Sequence, residues 1–531
     1  MPPSLFPGAD GLGLRRWTIA VVACLFAVWA GVTLADEPNL VFAGLVGLLY
    51  VGTLAVNAKP LAWLIIALQP AALIVPFFPG RPFWWELCAL LAWPSLLAYF
   101  LLNRQKLEAL QFDRLEKRAL LALLGYVGVL VVLMMYRGVG FRALGGGQMG
   151  GRFYTQQMVL AILPLLLMSA RLSKKQLIVA VCFGWGLSLT YLVSDFSFSL
   201  TGNLQKVLYY FELPTDALNF ELGFEATGLR RYQSFGIVGA ALFSAILIWA
   251  SLRDLVTRRA LYGLPILLGA ILLAMSSGHR AAFIQIVATL AFLTFFQRFW
   301  SPMRAVFALV FAAGALFTLY IVAADLPLSV QRSISFLPGI EVTSLARDNA
   351  LDTLNDRIEV LKLALHDMPR YLLVGRGFGM ARFDTLPSDA VYEGVWLQYM
   401  NGAFYNGLLG SILKTGVAGF LCAGFFVLWV SRMAVQAIHM VWRKAPDDWS
   451  AFDRLVLLTC AQWFSLVFFF YCLHGDVGVW AQVFALPASV IMLCRRLLMP
   501  SPESAKSEDG RCLTAQESEA VGNSNAGPKA G

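Results

Sequence analysis

Apolar blocks of roughly 17 to 22 residues recur along this chain, each long enough for a helix to cross a hydrocarbon core of about 30 Å. That spacing excludes most soluble folds. Composition agrees: 59% of residues are hydrophobic and 14% charged, and mean hydropathy is +0.68. Soluble domains carry about a quarter charged residues, so lipid must solvate much of this surface. The pattern predicts an all-α polytopic membrane bundle of about fourteen spans. They lie near 17–35, 39–57, 60–79, 84–102, 119–137, 155–170, 176–195, 233–251, 261–277, 281–297, 305–324, 406–430, 453–474 and 477–494. Pro94 and Pro164 fall inside two of them, which membrane helices tolerate where neighbours re-satisfy the freed carbonyl.

Short loops set the orientation. Arg15 and Arg16, Lys59, Arg104 to Arg118, Arg171 to Lys175, Arg253 to Arg259, Arg298 and Arg304, Arg432 to Lys444, and Arg495 and Arg496 fall on alternate loops. The positive-inside rule assigns that set, and both termini, to the cytoplasm. The expected organisation is a cytoplasmic N-terminus at 1–16, a transmembrane domain over 17–495 with a large outer loop at 325–405, and a disordered tail at 496–531. The first apolar block is long and another follows at once, which argues against a cleaved signal peptide. A net charge of +9 reflects the same loop bias and implies no nucleic acid. Of the eight cysteines, Cys512 lies in the tail and the others in expected spans, with no metal-ligand spacing.

Function is therefore sought on the outer face. Long loops cross regardless of charge, so Arg332, Arg347, Arg370 and Arg382 read as solvated surface. Arg280 differs. The apolar runs Leu261–Met275 and Ala281–Phe296 are short enough to draw the turn Ser276–Arg280 down to headgroup level, where an arginine is costly unless paired or facing a cavity. Arg230 and Arg231 stand just before the next such span. Leu354, Ile358, Leu361 and Leu365 recur at helical spacing, predicting a short amphipathic helix that carries Arg357 beside its stripe and ends before Pro369. His366 would point to the other side. Gly375-Arg376-Gly377-Phe378-Gly379 reads as a flexible turn, since it lacks the βαβ setting of a nucleotide loop. Tyr392, Trp396, Tyr399, Phe404 and Tyr405 then interleave with Gln398, Asn401 and Asn406, which suits a sugar chain or an interfacial belt equally.

Taken in order, these elements resemble the O-antigen ligase and O-antigen polymerase family of bacterial envelope proteins. Carrying the resemblance are Arg231, the Ser-Gly-x-Arg turn at 277–280, Arg357 on a loop helix, the run from Pro369 through Gly379, and Asn406-Gly-Leu-Leu opening a helix with Gly416 and Gly419. It covers roughly 225–425, and order and topology rather than any single motif make it specific. The resemblance implies an inverting glycosyltransferase of the bacterial inner membrane. Its donor would be an undecaprenyl-diphosphate-linked glycan, its acceptor a sugar hydroxyl on a glycan or lipid A core, with no metal or other cofactor and with polysaccharide assembly proteins as partners. Arg231, Arg280 and Arg357 would meet the diphosphate, where guanidinium groups stabilise the charge that gathers as the bond breaks. Arg230, Arg376, Glu393, Trp396, Asn406, Lys414 and His474 are expected to line the substrate path. Many family members have His where this chain has Tyr405, and tyrosine, with a reference pKa of about 10, is a poor base at neutral pH. The base would be Glu393, or His474 with Asp476, or positioning alone would suffice, which favours a polymerase of repeat units over a ligase. A non-catalytic scaffold or an exporter of lipid-linked glycan is the alternative.

Overall fold

The structure, a computed structural model, describes residues 58–75, 83–89, 92, 112–138, 151–161, 163–170, 172–196, 211, 232–257, 259–299, 302–378, 393–400, 402–473 and 480–499. The expected spans 17–35 and 39–57, most of 84–102, the N-terminal segment and the tail beyond Met499 lie outside them. Among the described residues the chain is helical, with two isolated β-bridges, Leu73–Phe211 and Ile74–Phe83, and no sheet.

In chain order the helices are α1 (Ala58–Leu68), α2 (Arg114–Arg137), α3 (Gly151–Leu160), α4 (Leu163–Ala170), α5 (Lys174–Leu187), α6 (Thr190–Phe196) and α7 (Gln233–Trp249). There follow α8 (Leu252–Val256), α9 (Ala260–Ser276), α10 (Arg280–Phe296), α11 (Pro302–Val322), α12 (Leu328–Ile334) and α13 (Ser344–Tyr371). The last are α14 (Glu393–Met400), α15 (Gly407–Trp442), α16 (Ala451–Phe468) and α17 (Trp480–Leu498).

Among the described residues four stretches are long and apolar enough to cross a membrane: Arg114–Arg137, Lys174–Val193, Gly407–Trp442 and Ala451–Leu473. Helix α2 shows why lipid is their solvent. Asp113 and Glu116 close a reciprocal capping box at its start. One face buries Ala119, Leu123, Tyr126, Leu130 and Leu133 in the bundle, yet the other is equally apolar, with Leu121, Leu124 and Val132 exposed and Met135 79% exposed. A helix apolar on all sides is not a surface helix of a soluble domain.

The expected spans from 119 onward each find a helix, with corrections of detail. The block at 60–79 is not one helix: α1 stops at Leu68 before Pro70, and the chain then runs extended to Val75. Residues 155–170 divide between α3 and α4. Helix α13 is 28 residues long, not short, and runs through Pro369, whose missing N–H removes one helical bond from its last turns. Arg496 belongs to α17 rather than to the tail.

An aromatic knot forms the core where α2, α15, α16 and α17 meet. The Trp480 ring lies 4.8 Å from Tyr126 and 5.8 Å from Phe426, and its Nε1 donates to Tyr471 at 3.0 Å. Trp463 edges Phe484 and donates to Ser431. Helices α7 and α9 pair through small residues, a Cβ on Gly239 falling 2.7 Å from the Ala270 carbonyl.

Side-chain pairing sorts the two ends of the bundle. The loops assigned to one side by their basic residues converge: Arg253 pairs with Asp447, Trp442 donates to the Phe296 carbonyl, Arg118 and Arg432 both cover Trp429, and Arg495 bonds Gln436. At that end Glu116, 2% exposed, takes a two-point bond from Arg496 at 2.9 and 2.8 Å, while Arg495 pairs with Asp113. This closes α17 onto the start of α2. Removing one partner strands buried charge, so Glu116→Ala is expected to cost about 3–5 kcal/mol, read as a fall in unfolding temperature in detergent.

Candidate functional site

At the opposite end, α12, α13 and α14 pack against one another and onto α9, α10 and α15. What fastens them is a break in α15. Gly416 adopts φ 71° and ψ 177° inside that helix, a conformation suited to glycine. The Val417 N–H, which an unbroken helix would aim at Leu413, bonds the Leu372 carbonyl at 2.8 Å instead. Leu413 and Lys414 carbonyls receive the N–H groups of Arg376 (2.7 Å) and Gly377 (2.9 Å). The loop after α13 thus replaces the missing helical bonds, as buried backbone requires. Arg137, at the end of α2, holds the same segment through the Gly375 and Val374 carbonyls, and the Phe378 N–H donates to the Tyr154 hydroxyl.

Gly375–Phe378 is therefore not a flexible turn. It is buried or half-buried, and a Cβ on Gly375 would sit 2.3 Å from the Lys414 carbonyl. The glycines are plain in the sequence; the backbone they must approach is not.

Arg280 opens α10 and is half-buried; its Nη2 donates to the Ala350 carbonyl at 3.2 Å, tying the turn to α13. One and two turns further along α13 stand Thr353 and Arg357. Arg280 thus meets α13 two turns before Arg357, which puts both cations on one stretch of that helix. Arg357 lies over the Tyr405 ring, 4.9 Å from its centroid. It retains solvent access, yet burial by the surrounding protein draws its pKa below the usual guanidinium value, and Tyr405 partly offsets that. Neither Arg280 nor Arg357 forms an ion pair among the described residues.

Tyr405 has φ 53°, an uncommon backbone for a non-glycine residue that surrounding structure must impose. Its hydroxyl donates to Gln398 Oε1 at 2.9 Å, so the ring is fixed beneath Arg357 from α14. The geometry makes Tyr405 a platform for a cation rather than an open base.

Arg332, which sequence reasoning puts at the solvated surface, is not there. It is 5% exposed and donates to the Gly278 carbonyl at 2.9 Å and to Thr353 Oγ1 at 3.1 Å, bridging the Ser277–Arg280 turn to α13. Its place in the short run Leu328–Ile334 carries no sequence signal; only the packing of α12 under the turn buries it.

A second group adjoins through α14. Arg376 donates to the Tyr399 carbonyl at 3.0 Å and covers that ring, and the Tyr399 hydroxyl bonds Asp367. Burial, then that carboxylate, raises the Tyr399 pKa well above its ordinary value. Trp396 tilts against Tyr399, its Nε1 buried without a partner among the described residues. Lys414 is 6% exposed between Phe378 and Phe404, so it does not snorkel. Asn406 caps α15 by accepting from the Leu409 N–H, a structural task.

The apolar stripe of α13 also differs from its pattern: Leu354, Ile358 and Leu365 are exposed, and Ala346, Ala350, Val360 and Ala364 face the bundle. Small side chains there let the helix approach closely. His366 is exposed and apart from Arg357, as expected. Arg230, Arg231, His474 and Asp476, and the Glu393 side chain, lie outside the described residues; Tyr232, beside Arg231, donates to the Ser277 carbonyl. Among the described residues no cluster of His, Cys, Asp and Glu could hold a metal.

Compared with protein-family models and with curated proteins, the chain gives no match.

Because the Gly375 contact is with backbone, Gly375→Ala forces the loop off α15. It is expected to destabilise by roughly 1–3 kcal/mol and to raise protease cleavage within residues 372–378, measured by limited proteolysis.

Proposed function

We propose that this protein is a glycosyltransferase of the bacterial inner membrane, of the O-antigen polymerase and ligase kind, working on the periplasmic face. In this reading about fourteen spans place both termini in the cytoplasm, and α12 to α14 form a periplasmic cap over the site. The observation that carries it is that Arg280 meets α13 at the Ala350 carbonyl, two turns before Arg357, and that neither arginine has a carboxylate partner among the described residues. Bringing two like charges together costs energy, and a ligand bearing two or more negative charges relieves it. A polyprenyl diphosphate is such a ligand and arrives from the membrane.

In the reaction the acceptor hydroxyl attacks the anomeric carbon, the bond to the diphosphate breaks, and the diphosphate leaves with the electron pair. The acceptor gives up its proton. Arg280 and Arg357 stabilise the leaving charge, and a bound glycan that covers the exposed Arg357 would strengthen that effect. Arg332 and the Ala350 carbonyl keep the Ser277–Arg280 turn against α13, so the two arginines arrive in register. Tyr405 positions Arg357. Trp396, Arg376 and Lys414 border the path a sugar chain would follow. Elongation of repeat units is favoured over ligation because Tyr405 stands where a ligase would offer His.

Removing one charge-stabilising donor typically lowers turnover roughly 100- to 1,000-fold. In a strain lacking this gene, Arg280→Ala and Arg357→Ala at normal membrane abundance should therefore restore little or no long glycan, with lipid-linked units accumulating. Full polymer from either variant would sink the catalytic reading and leave a scaffold. Tyr405 separates platform from base. Tyr405→Phe keeps the ring and should retain most activity, whereas Tyr405→Leu should lose about 2- to 30-fold, the span of a cation–π contact. A Phe variant as dead as Arg280→Ala would instead make the hydroxyl catalytic.

A further inference from the structure

The other end of the bundle holds a cavity that the glycan chemistry does not use. It has a volume of about 190 Å³ and lies where the ends of α7, α10 and α15 meet α8 and the start of α16. Organic ligands usually occupy roughly 300 Å³ or more, so this space suits one small group.

Arg253, Arg259, Arg298 and Arg454 line it, against two carboxylates, Asp254 and Asp447. Both carboxylates are already engaged. Asp254 accepts from the Ser251 N–H and hydroxyl in the cap of α8, and Asp447 pairs with Arg253 at 3.0 Å. Arg454 is spent on the Ile248, Trp449 and Trp249 carbonyls, and Arg259 on the Trp249 carbonyl and ring. Arg298 touches only the Trp442 ring among the described residues, at 4.6 Å, and is held there with φ 49°. A net excess of guanidinium remains.

Two buried donors on the cavity lining point to an acceptor. Gln297 is 6% exposed, and its Oε1 takes the Leu252 N–H at 2.8 Å. That bond fixes the amide orientation, since a flip would set two donors face to face. Among the described residues Gln297 Nε2 is left without a partner, and so is Nε1 of Trp449, a residue 5% exposed. Buried donors are rarely left so. An acceptor that met these donors beside the excess guanidinium would carry negative charge.

We propose that this cavity binds a phosphate group, taken from an anionic phospholipid headgroup or from free phosphate, through Gln297, Trp449 and Arg298. The tryptophans Trp249, Trp442 and Trp449 beside it are residues typical of headgroup depth, and basic side chains at that depth attract anionic lipid. A phosphate there would also bind the ends of α7, α10 and α15 together. The site is independent of the glycan reading, and its test does not require transfer activity.

Full-length protein, delipidated in neutral detergent, would be mixed with phosphatidylglycerol, with phosphatidylcholine, or with inorganic phosphate, and bound ligand measured by native mass spectrometry and thermal shift. Arg298→Ala alters an exposed residue, and Gln297→Glu keeps the acceptor for Leu252 while replacing the free donor with a negative oxygen. Wild type should prefer phosphatidylglycerol to phosphatidylcholine, and each variant should weaken that binding roughly tenfold or more, as expected for a lost charge-assisted hydrogen bond. The same variant-sensitive binding of inorganic phosphate alone would support the site and name free phosphate as its source. Binding of neither probe, or binding that both variants leave unchanged, overturns the proposal.

Discussion

The exchange of backbone hydrogen bonds at Gly416 is the constraint on which the end of the bundle that carries α13 depends. A break in a long apolar helix leaves donors and acceptors that lipid cannot satisfy. Here Leu372, Arg376 and Gly377 supply the partners, and in doing so they dock the end of α13 onto α15. Everything the proposed site needs follows from that docking. It fixes where α13 presents Arg357, and it buries Lys414 between Phe378 and Phe404.

The arginines at this end fall into two kinds. Arg137, Arg332 and Arg376 donate to carbonyls of neighbouring segments and act as struts. Arg280 also donates to a carbonyl, that of Ala350, but it and Arg357 have no counter-ion among the described residues. Guanidinium serves both uses because its planar fork can satisfy several acceptors and never loses its charge. Sequence position does not separate the two kinds, since Arg332 and Arg357 lie on the same stretch of chain between α11 and α15.

At the basic end the same side chain again does two jobs. Arg495 and Arg496 seal α17 to the cap of α2 through Asp113 and Glu116, and Arg454 stitches the carbonyl end of α7. Arg298, with only a tryptophan ring against it among the described residues, and the free donors of Gln297 and Trp449 form the exception. At both ends, arginines bound to carbonyls or carboxylates define the frame, and those without a counter-ion among the described residues are the ones proposed to meet a ligand.

The apolar blocks and the alternation of basic loops were legible in the sequence, because a bilayer imposes a length and a charge bias that any membrane chain must carry locally. From them came the helices beyond residue 119, the sorting of loops between two ends, and Arg280 as a candidate. Tertiary structure decided what those local rules cannot reach. Periodicity gave α13 an apolar stripe at Leu354, Ile358 and Leu365, but close approach chose the alanine face, because packing rewards small residues that pattern reading ranks below leucine. Gly375 and Gly377 read as flexibility until the Lys414 carbonyl and the Tyr154 hydroxyl stood where their side chains would be. Arg332 looked solvated because its partners lie 54 and 21 residues away in the chain. The sequence alone determined how each segment meets its solvent; only the fold decided which distant backbone groups each charge would meet.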